Sequence, residues 1–209
     1  YLAKTTNLTN EAKKRHDLWP GSLSILSKTM TIGSFMGAML KDQQTVSIKL
    51  HTNGSIGNVY VDAFATGQVR GYVEKPHVNF VNHIDNTLND QYSLGNEGYI
   101  QVIKDLKLKN YFTSQIPITY HDIAKDFAYY FNISEQTPSA ISLGILVGED
   151  NYALSAGGFI VQLLPNTPEA IIDLLEERIK ELPPMSKLLQ EYDDLEDILS
   201  YIFEKDYQI

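Results

Sequence analysis

The stretch that most restricts the architecture of this chain is SAGGFIVQLLP, residues 155–165. A double glycine precedes Phe159, Ile160, Val161, Leu163 and Leu164, broken only by Gln162 and stopped by Pro165. In a strand, successive side chains point to opposite faces, so Phe159, Val161 and Leu163 share one face while Ile160, Gln162 and Leu164 share the other. Both faces are mostly apolar, and a strand of that kind is covered on both sides. The fold therefore needs one layer above this strand and another below it. The glycines are not a phosphate turn, because the chain contains neither GxGxxG nor GxxxxGK[ST] and no lysine follows them.

The rest of the chain supplies candidate layers. Thr9 reads as an N-cap with Glu11 in the first turn, for a short helix ending near Trp19-Pro20. Pro20 then opens a longer helix in which Leu23, Leu26, Met30, Gly33, Met36 and Leu40 form one buried stripe. The period then changes to alternation: Val46, Ile48 and Leu50, a turn at Asn53-Gly54, Val59 and Val61, a turn at Thr66-Gly67, then Val69 and Tyr72. This predicts an antiparallel meander. Glu74 to Gly98 reads as an irregular connection, and strands resume at Tyr99–Ile103 and Phe112–Ile118. Thr119 with Asp122 predicts a capping box for a helix through Phe131. Ile141–Val147 and Tyr152–Leu164 form a second hairpin. Thr167-Pro168-Glu169 starts a helix, with Thr167 as its cap and Pro168 in the first turn, that ends by Pro183-Pro184, and a last amphipathic helix carries Leu195, Ile198, Leu199, Ile202 and Phe203 on one face. The expected class is α+β: a mixed or antiparallel sheet core packed with helices over residues 1–166, followed by an all-α linker segment over 167–209.

Charge and composition narrow the function. A net charge of −9 disfavours nucleic acid, whose binding needs cations against phosphates. The charge is uneven: residues 1–50 hold seven basic and three acidic residues, and residues 167–209 hold four basic and twelve acidic ones. No run of about 18 uncharged apolar residues is present to span a bilayer, so no membrane partner is expected. With no cysteine, disulfides, thiolate zinc sites and cysteine nucleophiles are all excluded from these 209 residues. Tyr1 and the lack of a basic-then-apolar leader read as a chain that begins inside a longer protein. A metal-dependent enzyme would draw on His77 and His83, with Asp85 or Asp90 as the carboxylate, but the spacing matches no ligand motif. A dimerisation module would use the Gly33–Gly37 face or an unpaired strand.

Several stretches together resemble the thirty-three-kilodalton heat-shock chaperone family. They are EAKKRHDLWP (11–20), GAML (37–40), GSIGNVYVDAFATGQVRGYVEKPHV (54–78), LGNEGYIQVIKDL (94–106), YFNISEQTPSAISLGILV (130–147), SAGGFIVQLLP and LPPMSKLL (182–189). The resemblance implies a non-enzymatic, ATP-independent holdase of the bacterial cytoplasm that binds unfolding client proteins under oxidative stress. It implies a homodimer when active. It also implies a C-terminal domain holding zinc through four thiolates as a redox switch, which this cysteine-free chain lacks, along with a strand segment ahead of the first helix. No cofactor is expected in the chain itself. The expected client-binding residues are Phe159, Ile160, Val161, Leu163 and Leu164 of the two-faced strand together with Leu195, Ile198, Leu199, Ile202 and Phe203 of the last helix, whose segment covers part of that surface and also contributes to it.

Overall fold

In a computed structural model, the structure describes residues 1–80 and 88–203. Eight strands and seven helices follow in the order β1 (Leu2–Lys4), α1 (Thr6–His16), α2 (Pro20–Ala38), β2 (Thr45–Thr52), β3 (Val59–Phe64), β4 (Val69–Val73), α3 (Asp90–Leu94), β5 (Gly98–Asp105), β6 (Phe112–Pro117), α4 (Ile123–Ile133), β7 (Ser139–Val147), β8 (Ala153–Gln162), α5 (Glu169–Glu181), α6 (Met185–Glu191) and α7 (Leu195–Phe203), counted among the described residues. The strands form a five-stranded antiparallel sheet, β4-β3-β2-β5-β6, and a three-stranded one, β1-β8-β7. The fold is α+β.

Alternation in the meander sets its register. Val46, Ile48 and Leu50 of β2 pair with Ala63, Val61 and Val59 of β3, and all six are buried. That apolar face rests on α2, whose other side rests on β7 and β8. The helix is therefore the middle layer of the molecule and is buried nearly all round, where the sequence predicts a single stripe. Its hydroxyl side chains fit a dry setting because each finds a partner. Thr31 meets Thr5 at 2.8 Å, Ser27 meets Thr9 at 2.7 Å, and Thr29 donates to the Ile25 carbonyl. Thr9 is consequently no N-cap: α1 starts at Thr6, and the Thr9 hydroxyl is committed to a residue 18 positions away. Gly33 and Gly37 are not a dimer face either, since they admit β3. A Cβ at Gly33 would lie 2.9 Å from Val61, and one at Gly37 would lie 3.0 Å from the Phe64 carbonyl oxygen.

The turn into α4 is organised by a fully buried carboxylate. Asp126 Oδ1 accepts from the backbone N–H groups of Thr119 (2.8 Å) and Tyr120 (2.9 Å), and Oδ2 accepts from that of Asp122 (3.2 Å). Asp122 caps the helix through the Lys125 N–H. Thr119 thus contributes its N–H to Asp126 rather than its side chain to a capping box.

The two glycines of SAGGF serve the small sheet. Gly157 has φ +151°, and a Cβ there would sit 2.1 Å from the Ala3 carbonyl oxygen. One on Gly158 would sit 2.3 Å from the Ser142 carbonyl oxygen. Both neighbouring strands thus come closer to β8 than a side chain allows. Gly157→Ala is expected to lower stability by about 1–3 kcal/mol, read from urea unfolding, through strain at this backbone conformation.

Candidate functional site: the covered face of the small sheet

Strand β8 has the two covered faces that its sequence demands, and the covers differ in kind. Ile160 points into the main core, on the side where Ile141, Leu143, Ile145 and Val147 of β7 also pack. Phe159 points the other way, into a second and separate cluster with Met185, Leu188 and Leu189 of α6 and Ile198 and Ile202 of α7. Leu2, Val161, Leu182, Tyr192, Leu195 and Phe203 close around it. The first cover belongs to the α+β core, and the second is built mainly by residues 182–203, with Ile179 of α5 packed against it.

Helix α6 lies flat on the sheet because glycine lies beneath it. A Cβ on Gly144 of β7 would come 2.3 Å from the Ser186 nitrogen and 2.9 Å from the Met185 carbonyl carbon. One on Gly157 would come 3.0 Å from Leu189. Removing two side chains from the face lets Leu188 and Leu189 reach the sheet and become fully buried. Polar contacts also tie the segment down. The Ser155 hydroxyl donates to the Ser186 carbonyl at 2.7 Å. Lys4 Nζ reaches the Tyr192 carbonyl at 3.3 Å and Asp193 at 3.4 Å. Asp193 is wholly exposed, so water and salt screen that ion pair and it does little to hold the segment down.

Helix α5 is attached differently. None of its residues is buried. Ile172, Leu175 and Ile179 face a cleft of about 140 Å³ shared with Ala140, Val161 and Leu163, while Ile171 and Leu174 remain 46% and 40% exposed. Its start also departs from the threonine-cap expectation: Pro168 holds the cap position, and Thr167 Oγ1 donates backwards to the Leu164 carbonyl.

The ten residues expected at the client-binding surface therefore separate. Phe159, Val161, Leu195, Ile198, Ile202 and Phe203 meet in the second cluster. Leu163 lines the α5 cleft, and Leu199 lines an acid-rimmed cleft beside Leu2. Ile160 is sealed in the main core, so lifting the helices would not bare it. Leu164 lies past the end of β8 and is already 77% exposed. Sequence reasoning missed Met185, Leu188 and Leu189, although their i, i+3, i+4 spacing directly after Pro183-Pro184 is a helix-face signal. It also missed Gly144, whose role depends on a helix about 40 residues away.

The metal alternative loses its first ligand. His77 Nε2 is 2.9 Å from Asp17 Oδ2, and its ring lies against Trp19 with centroids 5.3 Å apart. Asp90 is held by Ser24 and Lys28, and His83 and Asp85 lie outside the described residues. Among the described residues no group of three or more His, Cys, Asp or Glu side chains is placed to hold a metal, and the sequence offers no thiolate. The residues present do not fit a thiolate zinc site. No helix among them is long and apolar enough to cross a membrane.

A model of the Hsp33 protein family matches residues 1–209. The chain belongs to the Hsp33 family. Curated relatives carry the name 33 kDa chaperonin. The protein of Bacillus mycoides is 43% identical over 206 residues, covering 99% of this chain and 71% of that protein. The protein of Bacillus cytotoxicus is 43% identical over 202 residues, covering 97% and 69%. The crystal structure of the Thermotoga maritima 33 kDa chaperonin superimposes with a TM-score of 0.90 at 33% identity, covering 98% of this chain and 70% of that one. Hsp33 proteins are chaperones rather than enzymes, and the apolar cluster under α6 and α7 gains its interest from that.

Proposed function

We propose that this Hsp33 chain acts as an ATP-independent holdase, capturing unfolding client proteins on apolar surface that becomes available when residues 182–203 lift from the small sheet. The observation that carries the reading is the separateness of the second cluster. Phe159, Met185, Leu188, Leu189, Ile198 and Ile202 form their own small core, so they can be uncovered without opening the main one. The acidic residues crowding this segment repel one another, which lowers the cost of release.

Magnitudes suit a holdase. An apolar patch of ~600 Å² contributes at most ~15 kcal/mol at ~25 cal/mol per Å². Association costs of ~4–15 kcal/mol offset most of that. The balance is modest and tolerant of client sequence. The proposal places the protein in the cytoplasm, active as a homodimer under oxidative stress. A thiol switch with its zinc would have to act from residues other than these 209, which contain no cysteine.

The test is thermal aggregation of a model client, followed by light scattering without nucleotide. The folded chain at several-fold excess is expected to suppress scattering, and added ATP is expected to change nothing. Full aggregation in the presence of the folded chain would overturn the reading.

A further inference from the structure

We infer that the outer edge of β7 is a strand-addition site for an extended segment of an unfolded polypeptide. The inference rests on the holdase reading for its occupant and goes beyond it in stating how the client's main chain is held.

Strand β8 is paired on both sides, by β1 and by β7, whereas among the described residues β7 is paired on the β8 side alone. Its other edge therefore presents a row of backbone N–H and C=O groups with no ladder partner among the described residues. Such edges are usually blunted by a charge, a proline or brevity. β7 is nine residues long, SAISLGILV, and has none of these devices.

A groove of about 800 Å³ runs along this edge, and seven consecutive residues, Ser142–Gly148, form one wall of it. A wall made of one continuous strand offers main-chain groups at a regular spacing. Lys28, Asn79 and Leu88 stand among the residues lining the groove.

Pro183 and Pro184 also line this groove. The chain is extended there, with φ −62° and ψ 138° at Leu182 and φ −48° and ψ 130° at Pro184. These are polyproline II angles rather than those of a paired strand, and proline has no N–H to donate. The segment can lie beside the edge without completing the ladder, and it leads directly into α6, the helix whose release is proposed above.

These features name the occupant. Alternating donors and acceptors along an edge are satisfied in register by another extended main chain. An unfolded chain offers unpaired main chain along its whole length, whereas a folded one offers it only at an occasional edge strand, so the unfolded segment is the occupant the holdase reading supplies. The recognition is independent of side-chain identity, as a chaperone of many clients requires.

The test uses the full chain and three nine-residue peptides rich in valine and threonine: a parent, and two versions N-methylated at alternate amides along one edge or the other. Affinity is read by fluorescence anisotropy, and hydrogen exchange of the labelled chain is followed by NMR. The parent is expected to bind and to protect alternate amides of Ser139–Val147. Methylation along one peptide edge is expected to weaken binding roughly tenfold or more by removing several hydrogen bonds, while methylation along the other edge is tolerated. Equal binding of all three peptides, unchanged β7 exchange with peptide bound, or no binding by the parent would each overturn strand addition. Because the aggregation assay requires no ladder pairing, the holdase reading is judged there independently.

Discussion

Gly144→Val is expected to undock α6 and raise client capture. The new Cβ would stand 2.3 Å from the Ser186 nitrogen and 3.0 Å from its Cα, both backbone atoms of α6, so no side-chain rotation relieves the clash. Overpacking of this kind costs about 1–3 kcal/mol, and displacing the helix is the easiest relief because the second cluster is independent of the main core. Three readouts should move together. Binding of a hydrophobic dye should rise several-fold as Phe159 and its neighbours are bared. Amides of α6 and α7 should exchange faster while those of β2, β3 and β5 keep their protection. Aggregation should be suppressed at a lower ratio of chaperone to client. Gly144→Ala should fall between the parent and Gly144→Val. Unchanged dye binding and suppression in the valine variant would show that α6 does not mask the surface.

Asp126→Ala is expected to give the largest loss of stability, about 3–5 kcal/mol in urea unfolding. It leaves the N–H groups of Thr119, Tyr120 and Asp122 buried beside a vanished acceptor, and hydrogen bonds to a charged group are worth roughly 1.5–3 kcal/mol each. That is a large share of a typical domain's ~5–15 kcal/mol. Asp126→Asn should retain about half of the loss, because one amide oxygen at the Oδ1 position still accepts from Thr119 and Tyr120. Equal unfolding midpoints for Asp126→Ala and the parent would mean that the turn holds its shape without the carboxylate.

Much of the architecture was legible because it repeats a local period. Val46, Ile48 and Leu50 followed by Val59 and Val61 announced β2 and β3, and the structure pairs them. Pro20 at the first turn of α2 and the hairpin of β7 and β8 were legible in the same way. Misreadings fell where one polar residue had several partners available. Thr9 and Thr119 both suit helix caps by type and spacing. Their actual partners, Ser27 and Asp126, were selected by burial, which makes every unpaired polar group costly. The candidate site was half legible. The apolar stripe of α7 stood out by its period, whereas Gly144 looked like an ordinary glycine in a strand.

By itself the sequence determined that SAGGFIVQLLP needs a cover on each face, because alternation of side chains in a strand is a local geometric fact and both faces are apolar. It also determined the family, through residues matching in order along the chain. Only the tertiary structure decided which cover belongs to which face. Ile160 faces the permanent core and Phe159 faces a separate helical cluster, since that assignment depends on where α2 and α6 pack against the sheet. The close approach of α6 to Gly144 comes from contacts between residues far apart in the chain, and no local pattern encodes such a distance.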